Sequence, residues 1–132
     1  MLRRVLVIEA DDAVRTMLLT VLEVADYEVR GVQSGEEALG VLDQWRPDVI
    51  ALDILTPEGD GYHFLAERAK RCDVAAIPVI VVTYSPVPLP PARQLGVRAI
   101  LQQPHAVDYL RSMIAEAIGE SSGQGQEDEH TY

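Results

Sequence analysis

The run IPVIVVT, residues 77–83, is apolar from its first residue to its last but one. A strand with one face in water alternates apolar and polar side chains. A strand with no such alternation is covered on both faces, the situation of a parallel sheet. RRVLVIE (3–9), DVIALD (48–53) and VRAIL (97–101) read in a similar way, and YEVRGV (27–32) is a fifth, alternating strand. Helical periods separate them. Residues 12–25 place Val14, Met17, Leu18, Val21, Leu22 and Ala25 on one face. SGEEALGVLDQW (34–45) opens with Ser34 and has Glu37 three residues on, a capping box. Helix 3 is expected over 61–72 and helix 5 over 106–118. Between strands 4 and 5, Pro86, Pro88, Pro90 and Pro91 leave room only for a short helix 4 that starts near Pro90 or Pro91.

The order is therefore βαβαβαβαβα. Right-handed crossovers turn it into a doubly wound fold, here expected to be flavodoxin-like. The expectation is an α/β chain with a five-stranded parallel sheet in the order 2-1-3-4-5, as a three-layer α/β/α sandwich. At 132 residues the chain fits one domain, over 1–119. The polar, Gly-rich stretch 120–132 reads as a disordered acidic tail.

Composition narrows the function. The formal net charge is −10, and three of the 21 acids lie in SSGQGQEDEHTY at 121–132, so the rest is still acidic. Direct nucleic-acid binding needs a basic face and is not expected. No apolar run reaches the roughly 18 residues of a membrane span. The single cysteine, Cys72, cannot form an internal disulfide or a zinc cage, and a cytoplasmic location is the default.

In doubly wound sheets ligands bind beyond the carboxyl ends of the strands. Strand 1 ends in EADD (Glu9, Ala10, Asp11, Asp12), strand 3 in Asp53, strand 4 in Thr83, and QQPH with Gln103 follows strand 5. Neighbouring carboxylates raise one another's pKa, and a hard divalent cation such as Mg²⁺ removes that conflict. Asp12 is better explained as a first-turn acid favoured by the helix dipole. Asp60 with Gly61 reads as turn and cap chemistry for helix 3. Trp45 reads as partly buried, and His63, His105 and His130 are scattered without metal-ligand spacing.

PDVIALDILTPEGDG (47–61), IPVIVVT (77–83) and LGVRAILQQP (95–104) together resemble the receiver domain of two-component response regulators, over residues 3–118. The resemblance implies that Asp53 accepts a phosphoryl group from a histidine kinase or phosphotransfer protein. It implies a magnesium site made by Glu9, Asp11, Asp53 and the backbone carbonyl of Leu55. Thr83 would bind the phosphoryl group, with Tyr84 and Gln103 beside it. The signal would leave by the face of helix 4, strand 5 and helix 5, toward a downstream effector or a second copy. Such a chain is a signalling module and not an enzyme. A phosphatase of this fold would carry an aspartate where Leu55 stands, and no G-x-G-x-x-G follows strand 1 to suggest a dinucleotide.

Four departures from the family pattern bear on that expectation. Ala10 stands where the second strand-1 acid is usual, which weakens or removes Mg²⁺ binding unless Asp11 substitutes for it. Gln103 replaces a lysine and brings a hydrogen-bond donor without charge. Ile100 occupies the place of an aromatic switch residue, and Tyr84 that of a small one. These changes keep a second reading open, a pseudo-receiver that binds partners without phosphorylation.

Overall fold

The computed structural model describes residues 2–54, 60–83, 88–102, 106–119 and 130–131. The strands are β1 (Arg4–Ile8), β2 (Glu28–Val32), β3 (Val49–Leu52), β4 (Val79–Thr83), β5 (Ala99–Gln102) and β6 (His130–Thr131). The helices are α1 (Asp12–Val24), α2 (Gly35–Leu42), α3 (Asp60–Ala69), α4 (Ala92–Leu95) and α5 (Ala106–Ala117). All strand pairs are parallel, and the sheet runs β2-β1-β3-β4-β5-β6. The first five follow the expected order. The two-residue β6 is an addition that the tail's composition did not foretell. It lies along β5, whose outer backbone groups would otherwise be an open edge. The tail thus departs from expectation at residues 130 and 131; 120–129 and 132 lie outside the described residues.

The apolar strands divide their side chains between two cores. In β1, Leu6 and Ile8 point to one side and Val5 and Val7 to the other, all inaccessible to water. Leu6 and Ile8 meet Ala38 and Leu42 of α2, Phe64 and Leu65 of α3, and Ala92 of α4. Val5 and Val7 meet Leu18 and Leu22 of α1 and Leu110, Met113 and Ile114 of α5. Each such aliphatic side chain, moved from water to the core, contributes roughly 1.5–3 kcal/mol. That is why β3, β4 and β5 carry no polar residue before their last position.

Local signals set the boundaries. Asp11 caps α1 by accepting from the Val14 N–H at 2.9 Å. Ser34 caps α2 by accepting from the Glu37 N–H at 3.1 Å, and the Glu37 carboxylate reaches back to the Gln33 N–H, one residue before the cap. Asp26 makes the turn into β2 in the left-handed region, at φ 71°, which aspartate tolerates better than most residues. The prolines confine α4 to four residues, opened at Pro91 and closed by Gly96 at φ 74°. Helix 3 stops at Ala69 and not at Cys72. Beyond it the buried Arg68 guanidinium donates to Ala75 O at 2.8 Å and Ile77 O at 2.5 Å and holds the bend into β4.

At the amino ends of the strands, Trp45 is 4% exposed, more deeply buried than its position after α2 suggests. The Arg4 and Arg30 guanidinium groups stand 5.3 and 4.9 Å from its ring centre. Its indole N–H faces Glu28 Oε2 at 3.4 Å.

Candidate functional site

The parallel register brings the last residues of β1 and β3 side by side, Ile8 opposite Leu52. The ladder runs one step further on both sides. The Glu9 N–H donates to Val32 O, and the Asp53 N–H donates to Ile8 O, each at 3.0 Å. The first residues past the strands are thus both acids, on adjacent chains, at the carboxyl edge. Thr83 ends β4, two residues past the partner of Leu52, and is 1% exposed.

Glu9 is buried and Asp53 half-buried. Burial pushes the Glu9 carboxyl up to about 7, against the opposing effect of the Asp11 N–H that donates to its Oε2 at 3.0 Å. The charge of Asp53, a hydrogen bond between the two carboxyls, and the charge of Asp11 add to the rise. The Glu9 carboxyl therefore keeps its proton beside Asp53 up to about pH 7, because two carboxylates in contact cannot both ionise cheaply.

Asp11 comes near this pair, but its carboxylate accepts from Val14 and is exposed to solvent. Asp12 is exposed and pairs with Arg15, Nη2 to Oδ1 at 2.6 Å. Among the described residues no three acids, histidines or cysteines converge on one point as a metal cage. Ala10 leaves the pair as the acids of the site. Leu55, Tyr84 and Gln103 lie outside the described residues.

Two glycines hold the surroundings close. A Cβ on Gly61 would fall 2.6 Å from the Ile54 Cα, so only glycine lets α3 start against the end of β3. A Cβ on Gly35 would fall 2.8 Å from the Phe64 Cβ. Asp60 was expected to cap α3; its carboxylate instead accepts from the Gly35 N–H at the start of α2. It joins the amino ends of α2 and α3. Neither this tie nor the role of Arg15 was foreseen from the sequence. The one visible hint was the i,i+3 spacing of Asp12 and Arg15.

The family model of the response regulator receiver domain matches residues 5–115. The chain belongs to that family. Among curated relatives, the transcriptional regulatory protein AfsQ1 of Streptomyces coelicolor is 40% identical over 78 residues, 59% of this chain and 33% of its own. The response regulator MprA of Mycolicibacterium vanbaalenii is 35% identical over 80 residues, 61% of this chain and 34% of its own. The match thus spans about a third of the length of these relatives. The signal receiver domain of a signal transduction histidine kinase from Syntrophus aciditrophicus superposes with a TM-score of 0.77 at 26% identity, over 96% of this chain and 97% of that one. The chemotaxis response regulator CheY4 of Vibrio cholerae shares the fold, with a TM-score of 0.75 at 22% identity over 89% of this chain and 99% of that one.

Receiver domains generally bind Mg²⁺ at the phosphorylation site. The donor set of this receiver domain suits a hard dication. A carboxyl pair in which Glu9 keeps its proton when left alone can exchange it for Mg²⁺, which needs one or two carboxylates and fills its other positions with water. The position of the aromatic switch is different in kind. Ile100 is 1% exposed and belongs to the core between the sheet and α2, α3 and α4. In this receiver domain that side chain is a packing residue in the interior.

Proposed function

We propose that this receiver domain accepts a phosphoryl group on Asp53 from a histidine kinase or phosphotransfer protein in a two-component phosphorelay. The observation that carries the reading is the Glu9–Asp53 carboxyl pair, set side by side at the carboxyl ends of adjacent parallel strands. In the transfer, a carboxylate oxygen of Asp53 attacks the phosphorus of a phosphohistidine. The new O–P bond forms as the P–N bond to the imidazole breaks, and the electron pair leaves with that ring. Asp53 must be ionised to attack, and the proton on Glu9 leaves it so; that proton has to leave before both carboxylates can hold a cation. Glu9 and Asp53, with the carbonyl of Leu55, would hold Mg²⁺, whose positive charge would neutralise the phosphoryl oxygens. The Thr83 hydroxyl donates to one of those oxygens. Asp11 serves the site through its N–H, which orients Glu9.

The outcome passes to a downstream effector, or to a second copy, through α4, β5 and α5. Ile100 favours a variant of this reading for the output step. A buried aliphatic side chain cannot swing between two ring positions, so that face keeps one shape and binds its partner with little dependence on phosphorylation. This is the pseudo-receiver alternative, and it leaves the carboxyl pair as an inherited feature.

Mass spectrometry of the intact protein, after incubation with acetyl phosphate and Mg²⁺, separates the two. A single phosphoryl increment that disappears in Asp53→Asn supports phosphoacceptance. No increment in a cooperatively folded protein refutes it and leaves the interaction module.

A further inference from the structure

Arg15 is the least exposed charged group on α1, with its side chain 19% accessible. Nη1 donates to the Glu9 carbonyl at 2.8 Å, and Nη2 donates to Asp12 Oδ1 at 2.6 Å. One planar guanidinium thus spans the connection from the last residue before the turn to the first residue of α1. Its stem lies over Gly31 of β2, where an added Cβ would be 3.1 Å from the Arg15 Cδ and 2.8 Å from the Leu19 Cδ1. Glycine at position 31 keeps that lane open.

Inside the span sit Ala10 and Asp11. The Asp11 N–H holds Glu9 Oε2, and the Asp11 carboxylate is committed to the first turn of α1. The carbonyl of Glu9 is fixed by Arg15, its N–H by Val32, and its carboxyl by Asp11 and Asp53. Every polar group of Glu9 is therefore held, and Arg15 supplies the contact on which the turn closes.

We propose that Arg15 is a positioning residue for the Glu9–Asp53 carboxyl pair: its two-ended guanidinium staple sets the β1–α1 turn so that Glu9 faces Asp53 and Asp11 faces α1. A fork of fixed geometry suits such a role, since two donors on one plane fix both the separation and the direction of what they hold. The consequence for metal binding rests on the function proposed above; the placement of the turn does not.

The test compares wild type, Arg15→Met and Arg15→Lys. Methionine keeps an apolar stem over Gly31 and removes both donors; lysine restores a single cationic donor. Amide hydrogen exchange is followed by NMR without metal, and Mg²⁺ affinity is measured separately by calorimetry. The expected result is exchange at the Asp11 amide at least tenfold faster in Arg15→Met, with the Ile50 amide of β3 unchanged. Arg15→Lys should fall between, and Mg²⁺ should bind at least threefold more weakly to Arg15→Met. Unchanged exchange at Asp11 overturns the proposal. So does equal acceleration at Asp11 and Ile50, which marks a general loss of stability. A loosened Asp11 with unchanged Mg²⁺ affinity overturns it too, since the pair would then not depend on the staple. Failure of wild type to bind Mg²⁺ refutes the earlier functional reading, and the staple is then decided by the exchange data.

Discussion

Replacing Glu9 by glutamine should stabilise the metal-free protein at alkaline pH and not at acid pH. Glutamine keeps the shape, accepts from the Asp11 N–H as Glu9 does, and offers Asp53 an N–H in place of the shared proton. The Glu9 carboxyl titrates at about 7 in the folded chain, against the ordinary 4.5. The folded state thus holds its proton in a range where the unfolded chain has released it. Its contribution to stability is full below 4.5, declines as pH rises, and is gone above 7. At about 1.4 kcal/mol per pH unit the difference amounts to about 3 kcal/mol. For a domain whose total stability is on the order of 5–15 kcal/mol this is easily measured. Urea unfolding of both proteins, followed by circular dichroism in EDTA at intervals from pH 4.5 to 8.5, gives the difference directly. The wild type should lose about 3 kcal/mol relative to Glu9→Gln across that range, most of it before pH 7. Added Mg²⁺ at pH 8 should then restore much of the loss in wild type and little in the variant. Two parallel stability curves would refute the claim that Glu9 is buried against Asp53.

Further substitutions test other parts of the frame. Gly61→Ala places a methyl against the Ile54 backbone and should lower the unfolding free energy by about 1–3 kcal/mol, read in urea, with retention of that stability counting against the close contact. Arg68→Met leaves the Ala75 and Ile77 carbonyls without their shared donor and should cost about 1–3 kcal/mol in the same assay. Ile100→Tyr, which puts back an aromatic ring, should destabilise by about 1–3 kcal/mol because the position is enclosed; a neutral effect would mean that the ring finds a way out.

The parts of the fold that were legible in the sequence are those set by burial. Continuous apolar runs such as Val79–Val82 can exist only between two covered faces, so a doubly wound parallel sheet followed from pattern. The prolines told truthfully that α4 would be short. Glu9 and Asp53 could be nominated because strand ends in such sheets are where ligands bind, and they do meet. What the sequence hid were contacts that close only in three dimensions. Asp60 looked like a cap for its own helix, and nothing local says that its carboxylate crosses to Gly35, 25 residues earlier. Asp11 fitted two roles equally, as ligand or as cap. The choice depends on Arg15, whose guanidinium reaches the Glu9 carbonyl only after α1 has wound one turn. The pairing of β6 with β5 depends on an open sheet edge, not on any preference within the tail.

The stack of Arg4, Trp45 and Arg30 has a consequence for optical work on this protein. Trp45 is the only tryptophan and lies at the amino ends of the strands, whereas Glu9 and Asp53 lie at the carboxyl ends. A strand the length of β1 separates the two by on the order of 15 Å. The indole emission should be shifted to the blue by its burial and should change steeply when the chain unfolds. Its intensity should barely respond to a cation or a phosphoryl group at the far edge. Titrations that rely on quenching would therefore register little even when binding is complete. The same insulation makes Trp45 a clean gauge of global unfolding with ligand present, because the signal tracks the fold and not the occupancy of the site.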